Sequence, residues 1–242
     1  MSDPRQISST STPSTAADSG EEMRVGNRID KRTDTTRLEA FSDGVFAIAI
    51  TLLVLTFKVP PPSDLHSPLI QTLLNQWPAY LAYANSFLAV LLMWVAHHNM
   101  FRYIVRTDHV LLLLNGLLLM GTTLVPFPTS LLAEYLQSGI YQDKQTAVAV
   151  CCGTFAFIAL TYNALYWWAV GGQRLTDPTK PVELDRRRLL SYTLRPWIYL
   201  VALVVALSPL PFALQISLAI YTLLSLLYAL PPPRHYPGAA HL

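Results

Sequence analysis

Between Leu38 and Leu55 the chain is almost wholly apolar, and Asp43 sits barely two turns into that run. At about 1.5 Å per residue, a helix of this length crosses most of a bilayer's hydrocarbon core. A carboxylate at such depth costs several kcal/mol unless other groups satisfy it, which makes Asp43 a candidate for function or for a structural network. Thr36 with Glu39 three residues later reads as a capping box at the helix start. Val59-Pro60-Pro61-Pro62 is the expected stop, because proline lacks an N–H and disfavours helix in the residue before it.

The same pattern recurs along the chain. Six apolar spans are expected, at Leu38–Phe57, about Gln76–Tyr103, His109–Leu132, Thr146–Val170, Leu189–Leu207 and Phe212–Leu230. Pro126 and Pro128 should kink or end the third. Charged residues make up only 13% of the chain and mean hydropathy is +0.35, far from a soluble domain. The expected class is therefore an all-α integral membrane protein. Residues 1–35 read as a disordered polar N-terminal tail, 36–230 as the membrane domain and 231–242 as a short C-terminal tail. Lysine and arginine concentrate before the first span, between the second and third, and between the fourth and fifth. The positive-inside rule then places both termini in the cytoplasm.

Successive helical residues turn by about 100°, so Ile48, Leu52 and Leu55 share one side of the first helix with Arg37, Phe41 and Gly44. Thr51 lies at the edge of that stripe and Asp43 points the opposite way. The second span offers Trp94, His97, His98 and Asn99 at matching depth. Asp43, Ser42, His98 and Asn99 are expected to form a buried polar network that fixes the first helix, with Asn115 of the third span joining it. Adjacent histidines diverge on a helix and no metal-ligand spacing accompanies them, so neither metal nor cofactor is expected. Cys151 and Cys152 are adjacent and poorly placed to bridge, and act as small core residues. No GxSxG or HExxH motif supports an enzyme, and nothing points to nucleic acid.

The run Arg37-x-x-x-Phe41-Ser42-Asp43, leading directly into Gly44-Val45-Phe46-Ala47-Ile48-Ala49-Ile50-Thr51, resembles the first helix of the lysosomal and prokaryotic potassium channels of the transmembrane protein 175 family. Trp94-x-x-His97-His98-Asn99 resembles the family's second-helix motif, whose histidine contacts the Phe-Ser-Asp region. A single copy of the motif is like the prokaryotic members, which implies the plasma (inner) membrane of a prokaryote as its location. The resemblance implies a homotetramer in which four first helices line a potassium path. Ile48 would form the narrowest hydrophobic ring, with Leu52 and Leu55 beyond it, and Thr51 hydroxyls would contribute potassium preference. Arg37, Phe41, Ser42, Asp43, Trp94, His98, Asn99 and Asn115 would form the supporting constellation. Potassium ions, the lipid bilayer and further copies of the chain are then its partners. Thr56 stands where family members often place an acidic residue near the outer mouth.

The chain has no TVGYG-like segment, so a carbonyl-cage filter is absent and ions must pass between helices. One chain supplies one such helix, so a central path needs several copies about an axis. The competing reading is a proton-coupled transporter or proton pathway with Asp43 and His98 as titrating groups. A haem or metal enzyme is a distant third.

Overall fold

The computed structural model describes residues 15–62, 68–170, 175–176, 186–210 and 212–229. The expectations for residues 1–14 and 230–242, and for the basic residues Arg174 and Lys180 between the fourth and fifth spans, lie outside them. Helices are α1 (Thr15–Leu52), α2 (Leu69–Asn75), α3 (Trp77–Phe101), α4 (His109–Leu124), α5 (Pro126–Tyr135), α6 (Tyr141–Val170), α7 (Arg186–Leu207) and α8 (Ala213–Ala229). Four segments are long and apolar enough to cross a membrane: Asp34–Thr56, Trp77–Phe101, His109–Tyr135 and Tyr141–Val170. Two shorter apolar helices, Pro196–Leu207 and Ala213–Leu224, complete the described bundle. The described elements are all helices, and the protein is multi-pass.

The first helix departs from expectation at its start. It begins at Thr15, so Thr36 and Glu39 lie inside it rather than capping it, and the segment from Thr15 is helical where a disordered tail was expected. No proline interrupts the chain between Pro13 and Pro60, and Glu, Arg and Lys are good helix formers. Once the apolar span supplies a helical nucleus, extension in the N-terminal direction adds one hydrogen bond per residue fixed. At the other end α1 tightens into a 3-10 turn, Leu53–Thr56, and the chain is extended from Phe57 toward the prolines.

Proline also shapes the third span. Val125 links α4 to α5, and Pro126 and Pro128 lack the N–H groups that would bond back across this junction. Hydroxyls there bond to the backbone, with Thr122 Oγ1 donating to Leu118 O at 2.9 Å and Thr129 Oγ1 to Val125 O at 2.8 Å. Asp108 caps α4 by accepting from the Leu111 N–H at 2.7 Å, and its carboxylate also accepts from Trp168 Nε1.

The core is built around α6, which packs against α4, α5, α7 and α8. Val148, Cys151, Cys152, Phe155, Ile158 and Leu165 are all buried there. The Phe155 ring lies 4.7 Å from that of Tyr221 and 5.8 Å from that of Tyr199. Both cysteines are free. Among the described residues α1 packs chiefly on α3 and α4, and the 3-10 turn that follows it packs on α3 and α5, so it stands toward the edge of the protomer. Ile104 pairs with Thr176, and Val105 N donates to Leu175 O at 2.8 Å, which puts the loop after α3 and the loop after α6 on one side.

Candidate functional site: the first helix and the network behind it

The inner face of α1 is defined by Ser42, Phe46, Ala49 and Leu53, recurring at three- and four-residue spacing and all buried. On the outer face Phe41 is 64% exposed, Ile48 57%, Leu52 39% and Leu55 72%. Arg37, Gly44 and Thr51 are exposed on the same side. Among the described residues, none of the same chain covers this apolar stripe. Thr51 Oγ1 donates to Ile48 O at 2.8 Å, so the hydroxyl proton is committed and the oxygen's lone pairs remain to accept or to coordinate.

Behind that stripe a chain of polar groups joins three helices. Ser42 Oγ donates to Leu38 O at 2.8 Å, and Asn115 Nδ2 of α4 donates to Ser42 Oγ at 2.9 Å. Asn115 Oδ1 meets His97 Nε2 of α3 at 2.8 Å. The amide has its donor toward Ser42, so the imidazole carries its proton on Nε2 and donates to Asn115. His97 is 0% exposed, with Phe101 stacked on it at 4.3 Å and Phe46 at 5.3 Å. Its Nδ1 is buried without a hydrogen-bond partner among the described residues. A second contact runs beside this chain: Trp94 Nε1 donates to Asp43 Oδ1 at 2.8 Å.

These placements revise the sequence reading in four respects. The histidine that meets Asn115 is His97, whereas His98 lies partly exposed with Nδ1 3.0 Å from Glu39 Oε1. Val90, Met93, Trp94, His97, Met100 and Phe101 form the inward stripe of α3, and that spacing is the signal that distinguishes the two histidines. Asn99, about 200° round the helix from His97, joins none of these bonds. Arg37 and Phe41 lie on the exposed stripe and not in the network. Ser42, Asp43, Trp94 and Asn115 are brought together. Glu39, assigned to a cap in the sequence, instead approaches Asp43 and His98, a set of three metal-capable side chains assembled across two helices rather than along one.

Residues 37–126, which hold both the stripe and the network, match the family model described as endosomal/lysosomal potassium channel TMEM175. A potassium channel of Chamaesiphon minutus is 46% identical over 177 residues, spanning 71% of this chain and 84% of the relative. The chain belongs to the TMEM175 family. A solved structure of a TMEM175 homolog from the same organism, described as a lysosomal potassium-selective channel homolog, superposes with a TM-score of 0.69 at 40% identity. That match covers 82% of this chain and 97% of the solved one. An endosomal/lysosomal proton channel TMEM175 of Gallus gallus is 33% identical over 147 residues, 58% of this chain but 29% of that relative. The TMEM175 family model thus falls on α1, α3 and α4, the helices that carry the polar network, and not on the α6 core.

Proposed function

We propose that this chain is a potassium-permeable cation channel of a prokaryotic inner membrane, with six spans per protomer and both termini in the cytoplasm. The spans are α1, α3, the α4–α5 pair, α6, α7 and α8. Four copies surround a central path lined by α1. The observation that carries this reading is the uncovered stripe of Ile48, Leu52 and Leu55 on a helix whose opposite face is locked to α3 and α4. The potassium-channel names of the bacterial relatives support it.

A ring of Ile48 side chains is narrow and dry, so a hydrated cation cannot pass until α1 shifts or rotates outward. Thr51, one turn along, offers oxygens whose own hydrogens are tied to the backbone. Those oxygens offset part of the dehydration cost, giving a modest preference for potassium. The protein needs no cofactor for this and performs no covalent chemistry. Reconstituted in liposomes, Ile48→Asn is expected to raise potassium flux by wetting the constriction, and Thr51→Ala to lower potassium preference over sodium. Unchanged flux in Ile48→Asn counts against the assigned ring.

A second reading, a proton pathway using Asp43 and His98, is favoured by the proton-channel name of the animal relative and by the proximity of Glu39, Asp43 and His98. Proton flux that persists without potassium, and is abolished in Asp43→Asn, would select it.

A further inference from the structure

Two carboxylates and an imidazole converge where the apolar part of α1 begins, away from the stripe. Glu39 and Asp43 are four residues apart and share one face of α1, while His98 reaches them from α3. One ligand atom from each lies within 4.8 Å of the other two. None of the three belongs to the buried chain from His97 to Leu38.

Several features set this group apart from an ordinary surface ion pair. It brings two carboxyl groups, not one, to a single imidazole. Trp94 orients both ends of the set: its Nε1–H holds Asp43 Oδ1, leaving Oδ2 uncommitted, and its ring stacks on His98 at 5.8 Å. A donor that fixes a liganding carboxylate in this way is the usual outer support of a metal site. Finally, His98 Nδ1 is shut off from solvent and makes no hydrogen bond among the described residues, although Glu39 Oε1 is 3.0 Å away. The nitrogen is therefore close to the carboxylate without the geometry of an N–H···O hydrogen bond, an approach that a cation shared between the two satisfies.

We propose that Glu39, Asp43 and His98 bind a divalent transition-metal cation of the zinc or cobalt type, linking α1 to α3. An imidazole nitrogen with two carboxylate oxygens suits these ions and disfavours potassium or magnesium, which take oxygen alone. Metal–ligand bonds of about 2.1 Å require ligands about 4 Å apart or less, so the widest separation need close only by small side-chain rotations. The bound ion ties the stripe-bearing helix to its neighbour and opposes the movement of α1. Binding stands independently of the channel reading; only its effect on flux rests on that reading.

The test is cobalt titration of the tag-free full-length protein in detergent, followed by visible absorption and zinc displacement. One Co²⁺ per chain is expected, displaced by Zn²⁺, lost in His98→Ala and in Glu39→Gln, and retained in His109→Ala, whose histidine is exposed elsewhere. Glu39→Gln preserves side-chain volume, so loss of the spectrum in a variant with unchanged circular dichroism is loss of a ligand. Absence of a saturable spectrum in the wild type, or its survival in both ligand variants, overturns the proposal. The spectrum is read without any flux, so a chain that does not conduct still decides the site.

Discussion

Asn115 ties α4 to both α1 and α3 through one amide, which donates to Ser42 and accepts from His97. In a bilayer no water replaces a lost partner, yet measured hydrogen bonds between membrane helices average only about 0.6 kcal/mol. Asn115→Ala orphans two groups at once, so it is expected to cost about 1–3 kcal/mol, read as a lower melting temperature in detergent. Ser42→Ala should cost less than Asn115→Ala, because it leaves the His97–Asn115 bond intact. Trp94→Phe keeps most of the ring area but removes the donor to Asp43, and about 1 kcal/mol is expected. Most of this site is legible from residue types: a serine, an aspartate, an asparagine and a tryptophan inside apolar spans must find one another. The choice between His97 and His98 is written only in the packing stripe of α3. Glu39 was hidden by a capping pattern that an uninterrupted helix makes irrelevant.

At the scale of elements, hydrophobic periodicity and proline placed the ends of the helices well where the bilayer-length pattern was strong. The break at Pro126 follows from missing N–H groups, whereas α1 ends at Leu52 and its 3-10 turn at Thr56, ahead of the prolines. The start of α1 was not legible, because polar composition alone does not distinguish a disordered tail from a helix extended outward from an anchored span. Close helix contacts were equally hidden. A Cβ placed on Gly121 would lie 2.8 Å from Ile158 Cγ1 and 3.1 Å from the Phe157 ring, so α4 and α6 approach through that glycine. Gly121→Val is expected to destabilise by about 1–3 kcal/mol through overpacking. Gly116→Ala, with nothing within 4 Å, should leave melting unchanged or slightly raised. A comparable loss in both variants would contradict this placement of α4.

For the molecule as a whole, the division of labour is between a packed scaffold around α6 and an edge helix that remains half uncovered. The α6 core is packed within one chain, whereas Ile48, Leu52 and Leu55 of α1, like outward residues such as Leu113 of α4 and Val204 of α7, are left to lipid or to other copies. At the far end of α1, Lys58 Nζ pairs with Glu134 Oε2 at 2.7 Å, both side chains being well exposed. Such a pair contributes about 1 kcal/mol or less. Lys58→Glu should therefore change stability little while raising potassium flux at low ionic strength, an effect that fades as salt screens the mouth. Single-particle imaging of the purified oligomer tests the central claim most directly. Four protomers with Ile48 nearest the symmetry axis, and Leu52 and Leu55 stacked along it, are expected. An assembly whose α1 stripes face lipid at the periphery would contradict the account.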